Sequence, residues 1–288
     1  MLGMVLGAIA LLVALHSPAQ ANDPPTLPDI PEVTLRPTNP QLGDTILVVT
    51  HTPDGASAPT VTFEGTVYPT FALGENRYRT LLPTTPLDRP GRKVIRVKVG
   101  DTTRNLAVGL RNRSFPTQRI WVRGGGADGT DREFDLVDAF KQQVSPEKLW
   151  SGTFARPASG SVSSVYGVRR YYNGVFANDY YHRGVDYAGP TGSPVRAPAA
   201  GRVTLIGRES QGFVLHGNTV GIDHGQGVAS IFIHLSRIDV REGDMVQLGQ
   251  VIGGIGATGS ATGPNLHWGL FVSGKSVDPD PWRNTGFQ

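Results

Sequence analysis

The chain has 288 residues with 37 glycines, 22 prolines, no cysteine and a formal net charge of +3. Without cysteine there are no disulfides, no thiolate metal ligands and no thiol nucleophile, so any metal site must use His, Asp or Glu. The charge is too mild to argue for nucleic acid. Only 18% of residues are charged while 39% are hydrophobic, which favours short strands joined by turns over helical bundles or disorder.

Leu2 to Leu15 is almost wholly apolar and runs into Ser17-Pro18 and Ala19-Gln20-Ala21. That is a leader of signal-peptide length with an A-x-A site, so residues 1–21 are expected to be cleaved after Ala21. The run is short for a membrane span, which needs about 20 apolar residues. No Lys or Arg precedes it, which keeps an uncleaved anchor open as the alternative. Residues 22–40 are proline-rich without periodicity and read as an extended lead-in.

From 41 to 115 short alternating runs follow: Thr45 to Val49, Thr60 to Phe63, and Lys93 to Val99. Turn dipeptides separate them, among them Asp54-Gly55, Glu64-Gly65 and Gly100-Asp101, as in a small immunoglobulin-like β sandwich. His51 stands there without partners and reads as a surface histidine. Residues 116–150 read as a linker. Gly124-Gly125-Gly126 breaks the chain and lacks the Lys-Ser or Lys-Thr of a phosphate loop. Thr130 and Glu133 are spaced as a capping box. Phe134, Val137, Phe140 and Val144 follow at helical spacing up to Pro146. This short connecting helix is expected to dock its apolar stripe on a domain.

Residues 151–288 return to strands and glycine-rich turns, with no further helix expected and no internal repeat. Five of the seven histidines lie here, at 182, 216, 224, 234 and 267. His182 and Asp186 form an H-x-x-x-D pair that a turn at Gly184 would bring together. His234 sits at a strand end and His267 in a strand. A catalytic zinc takes three protein ligands and keeps a fourth position for water, and imidazole and carboxylate suit it. By spacing alone such a pair is more often a surface ion pair than a metal site.

The ordered stretches from Phe154-Ala155-Arg156-Pro157 to Val277-Asp278-Pro279 go further. They include Gly160 to Gly167, His182 to Asp186, Gly192 to Pro198, Ile222 to Gly225, His234-Leu235-Ser236 and Gly263 to Trp268. This half of the chain resembles the lysostaphin-type (LytM-like) zinc endopeptidases of bacterial cell wall. The resemblance implies an all-β chain, with the immunoglobulin-like sandwich followed by a β-rich LytM-like peptidase domain. It implies Zn2+ held by His182, Asp186 and His267, with His234 activating water or stabilising the oxyanion. His224 falls in a matching stretch and is taken as structural; His216 has no counterpart in the resemblance.

One position departs from the family. The first histidine of its H-x-H motif is Asn265 here, and an amide donates a hydrogen bond but cannot take a proton. Losing general-base help costs about 10²–10⁴ in rate. Tyr166, Tyr171, Tyr172 and Trp268 are candidates to line a substrate groove, with core packing as the alternative for each. Residues Arg169 to Tyr181 are expected to form a surface loop at the groove edge. The expected substrate is the peptide cross-links of peptidoglycan, reached after export to the periplasm or cell envelope. A cell-wall protein partner is expected to meet the N-terminal domain, and a catalytically impaired wall-binding regulator is the alternative function.

Overall fold

The computed structural model describes residues 30–121 and 129–287. The leader over 1–21, residues 22–29 of the lead-in and the Gly124-Gly125-Gly126 break lie outside them. Two four-stranded antiparallel sheets form the N-terminal sandwich. One runs Glu32–Arg36, Thr45–His51, Arg77–Pro83, Thr70–Gly74, and the other Thr66–Tyr68, Thr60–Phe63, Gly91–Val99, Thr102–Leu110. Period-2 alternation sends Ile95, Val97 and Val99 inward while Arg96 and Lys98 face water. Ile95 and Val97 meet Ile46, Val48 and Leu82 of the opposite sheet in one core. His51 lies exposed at its strand end, as expected. The strand Glu32–Arg36 falls inside the stretch expected to be extended lead-in. Its two apolar residues are too few to show a period, and it forms by pairing along Thr45–His51.

The C-terminal part is built on an eight-stranded sheet. Its strand path is Ser161–Ser164, Val185–Ala188, Asn265–Val272, Val228–Leu235, Asn218–Gly225, Gly201–Gly207, Met245–Val246, with Lys275–Val277 beside Asn265–Val272. A second sheet, Pro194–Arg196, Val251–Gly254 and Arg237–Ile238, packs with it around a core that includes Val195, Val203, Phe232, Ile252 and Trp268. Strands therefore dominate both halves, as the composition implied.

Helix α1 (Asp131–Lys141) joins the halves. Thr130 caps it, its Oγ1 accepting from Glu133 N at 3.1 Å. Val137 and Phe140 are buried against Leu205, Phe213, Ala229, Ile231 and Phe271, so the helix docks on the large sheet. The expected stripe is too wide: Phe134 is half-exposed and Val144 lies beyond the helix end. A second helix, α2 (Pro279–Asn284), corrects the expectation that no further helix occurs. It is too short to show a period, and it is set by the Asp278 cap and by proline at its start.

α2 also fastens the two halves. Its buried Trp282 stacks edge-on with Trp150 and Phe154 and donates to Thr45 Oγ1 of the sandwich at 3.0 Å. Beside it, Asp278 N bonds Gly43 O, and Arg113 pairs with Asp278 at 2.6 Å. Leu47 and Leu81 of the sandwich belong to the same apolar cluster as Tyr166 and Trp268. The N-terminal domain is thus packed against the C-terminal one through a shared core.

Candidate functional site

Sheet register brings three chemical groups to one face. Asp186 pairs directly with His267, and Ile233 pairs with His267 from the other side, so residues 186, 267 and 233 point the same way. His182 enters from the preceding segment, held by His182 N to Val168 O and Gly167 N to His182 O, each 2.9 Å. His182 Nε2, Asp186 Oδ1 and His267 Nδ1 converge, with separations of 3.1, 3.0 and 2.8 Å. Among the described residues this is the group of His, Asp and Glu side chains placed to hold a metal ion. His182 Nδ1 donates to Val165 O at 2.8 Å, with Ser164 Oγ at 3.2 Å. That contact fixes the tautomer and presents the Nε2 lone pair to the cluster.

Gly184 makes the convergence geometrically allowed, and the chain bends there. A Cβ there would stand 2.3 Å from Trp268 O and 2.7 Å from His267 Nε2, so the position lacks space for any side chain. Burial raises the Asp186 carboxyl, but the His182 and His267 rings against it outweigh that and hold the group well below the usual range. The same burial lowers His267, only partly offset by Asp186. The result is an ionised carboxylate between two imidazoles, a donor set for a divalent cation.

His234 sits where the alternation of its strand breaks. Its φ of +66° lies in the left-handed region, and the pairing with Asn218–Gly225 slips by one residue between Phe232 and Leu235. The bulge re-aims a side chain that strict parity would turn away. His234 Nδ1 bonds Thr258 O at 2.9 Å. Burial, then the charge of His267, lower His234 to about 4. Asn265 sits two residues before His267 and shares its face. Its Oδ1 is buried with no hydrogen-bond partner among the described residues.

Two further residues are linked to His234 through the backbone. Glu133, fully buried on α1, does not reach back to the helix start as a capping box requires. It accepts from Leu215 N at 3.2 Å, from His216 N at 2.7 Å and from His216 Nδ1 at 2.7 Å. Burial raises its carboxyl, and these bonds from His216 and Leu215 more than reverse the effect. His216 O in turn accepts from His234 N at 2.9 Å. Spacing in the sequence carried no sign of this, because 83 residues separate Glu133 from His216. His224 is structural in its contacts: it is wholly buried, with Nδ1 to Ala200 O at 2.8 Å and Nε2 to Ser230 Oγ at 2.9 Å.

The expected groove aromatics divide. Trp268 is corrected to the core: it neighbours His267 on the strand, so it faces the opposite side, and its Nε1 donates to Ser230 Oγ at 3.1 Å. Tyr166 is also corrected to the core, buried and donating to Ser276 O at 2.8 Å. Tyr171 and Tyr172 remain half-buried on the strand Arg169–Tyr172. That strand forms a hairpin with Val175–Phe176 and takes Thr117–Ile120 alongside in parallel, so the expected surface loop is part of a three-stranded sheet.

Comparison with known proteins follows the same half of the chain. A family model described as Peptidase family M23 matches residues 180–279. The DD-carboxypeptidase/endopeptidase Mpg of Neisseria meningitidis serogroup B is 45% identical over 98 residues, 34% of this chain and 22% of that protein. The glycyl-glycine endopeptidase ALE-1 of Staphylococcus capitis is 34% identical over 148 residues, 47% of this chain and 40% of that one. The chain therefore spans less than half the length of these relatives. A crystal structure from Pseudomonas aeruginosa, named as a peptidase M23, is 28% identical with a TM-score of 0.64, covering 88% of this chain and 97% of that one.

Proposed function

The chain belongs to peptidase family M23 through residues 180–279, and from this premise we propose that it is an exported zinc endopeptidase cutting the peptide cross-links of bacterial peptidoglycan. The observation that carries the reading is the convergence of His182 Nε2, Asp186 Oδ1 and His267 Nδ1 within 4.8 Å of one another. A tetrahedral zinc with bonds of about 2.0–2.1 Å sets its ligand atoms roughly 3.3 Å apart. The three atoms stand 2.8 to 3.1 Å apart, so they fit that ion after a small outward movement. The relatives named as endopeptidases support the reaction class.

Bound zinc supplies Lewis acidity and a water acidified toward neutral pH. His182, oriented by Val165 O, and Asp186 and His267, held by strand pairing, would keep the ligand cage rigid. His234 is neutral near pH 7, since burial lowers it to about 4, and with Nδ1 bonded to Thr258 O its Nε2 carries a lone pair. That nitrogen accepts the proton of the attacking water. Asn265, on the same face as His267, donates its amide N–H to the developing oxyanion. Tyr171 and Tyr172 are the aromatics left to meet substrate at the rim.

Export rests on the apolar leader and its A-x-A site. Among the described residues no helix is long and apolar enough to cross a membrane. The decisive experiment incubates the purified protein with peptidoglycan, with and without a chelator, and reads fragments by mass spectrometry. New free peptide ends, abolished by chelation and restored by zinc, are expected. Zinc bound stoichiometrically without any new ends would refute the cutting activity. In that event the wall-binding regulator, which Asn265 favours, becomes the better reading.

A further inference from the structure

His234 holds a backbone conformation that a side chain disfavours. Its φ of +66° is uncommon for a residue with a Cβ and persists only where surrounding contacts over-determine it. Two such contacts lie outside the strand ladder. His234 N donates to His216 O and His234 Nδ1 donates to Thr258 O, each at 2.9 Å. Both acceptors sit on connecting segments, not on strands.

We propose that Glu133 of the linker helix is a positioning residue for His234, acting by clamping the turn 212–217 that holds both of those acceptors in place. The inference rests on the proposed peptidase reading, in which His234 Nε2 accepts the proton of the attacking water. Glu133 is fully buried, a placement that is costly for a carboxylate unless it is fully bonded. Its bonds all go to the turn: Oε1 accepts from His216 N and from His216 Nδ1 at 2.7 Å each, and Oε2 accepts from Leu215 N at 3.2 Å. Thr130, the cap of the same helix, donates through Oγ1 to Gly212 O at 2.9 Å. The helix start therefore grips the turn at two points.

The turn passes this constraint on to His234 by two routes. His216 O takes the N–H of His234 directly. Leu215 O accepts from Ser260 N at 3.0 Å, and Asn218 N donates to Thr258 Oγ1 at 2.9 Å, so the same turn fixes the segment bearing Thr258 O. Gly217 lies hard against that segment: a Cβ there would stand 2.4 Å from Thr258 Oγ1 and 2.5 Å from Thr258 C. The His216 ring serves Glu133 as a donor and has no part in the chemistry. Glu133 precedes residues 180–279 matched by the family model, so this support for His234 comes from outside the matched stretch.

The test compares the zinc-loaded full chain as wild type, Glu133→Gln and Val137→Ala. Every group that meets the Glu133 carboxylate is an N–H donor, so a glutamine amide sets N–H against N–H and the turn must shift. Val137 is buried on the same helix among side chains of the large sheet, and its truncation loosens the helix while removing no hydrogen bond to the turn. Peptidoglycan cleavage well below the melting temperature, zinc affinity and thermal melting are measured for each. Glu133→Gln is expected to lower kcat by about 10²-fold, the cost of misplacing a reacting group by about 1 Å, with KM and zinc affinity unchanged. Val137→Ala is expected to melt earlier and to keep its kcat. Nitrogen-15 NMR at pH 8 should show His234 protonated on Nδ1 in wild type and Val137→Ala, and a mixture of tautomers in Glu133→Gln. A wild-type kcat or an unchanged His234 tautomer in Glu133→Gln would overturn the proposal. Equal losses of kcat in the two variants would also overturn it, leaving Glu133 a purely structural role. A wild type that cuts nothing refutes the peptidase reading itself, and the His234 tautomer then still decides whether Glu133 positions that ring.

Discussion

Replacing Gly184 with alanine probes the site through its packing, without replacing a ligand. The added Cβ would lie 2.3 Å from Trp268 O and 2.7 Å from His267 Nε2, whereas real Cβ contacts stay above 3.0 Å. The backbone gap must therefore open by about 0.7 Å in a close-packed interior. Trp268 cannot retreat, because its strand is held by Val185 on one side and Phe232 on the other. The strain falls on Val185–Ala188 and moves Asp186 away from His267. Overpacking of this kind costs about 1–3 kcal/mol of stability. Disturbing the support of a metal ligand costs about 10–100-fold in affinity. Competition with a chromophoric chelator would measure zinc affinity, and thermal melting the stability. Gly109→Ala is the control, since nothing lies within 4 Å of its Cβ. A Gly184→Ala protein with wild-type zinc affinity and melting temperature would refute the claim that this contact sets the ligand geometry.

Other outcomes follow from the same coordinates. His267→Ala removes one of three converging ligands and should abolish stoichiometric zinc binding, checked by metal analysis after dialysis. Asn265→His should raise cleavage above wild type, and an unchanged rate would show that an amide at 265 is no handicap. Tyr166→Phe loses the bond to Ser276 O and should lower stability by about 0.5–1.5 kcal/mol while leaving KM unchanged, a result that a groove residue would not give. Burial lowers His224 to about 4, below its unfolded value, so the unfolded chain takes up the proton first as pH falls. Stability of the zinc-free protein should therefore decline from about pH 6.5 toward pH 4, and His224→Gln should flatten that slope in urea titrations.

Local pattern carried much of this molecule. The alternation over Lys93 to Val99 defined a sandwich strand because one face must be buried and the other wet. The spacing of Thr130, Val137 and Phe140 defined α1 for the corresponding helical reason. His182, Asp186, His234, Asn265 and His267 were legible as a set through the order of their motifs, and the structure places 182, 186 and 267 together. The short strand Glu32–Arg36 and helix α2 were not legible, since neither is long enough to show a period.

What the sequence alone determined was the inventory: a cysteine-free chain limited to imidazole and carboxylate ligands, two β-rich halves, and an amide at position 265. Only the tertiary structure decided direction. Register parity turned Trp268 into the core and His267 toward Asp186, although the two are adjacent. A bulge with positive φ broke the parity of the strand at His234. Helix α1 carried Glu133 across 83 residues to His216, where it serves as a partner and not as a cap. Each of these depends on which strand pairs with which and where a helix docks, and such pairings arise from packing between segments that share no local sequence signal.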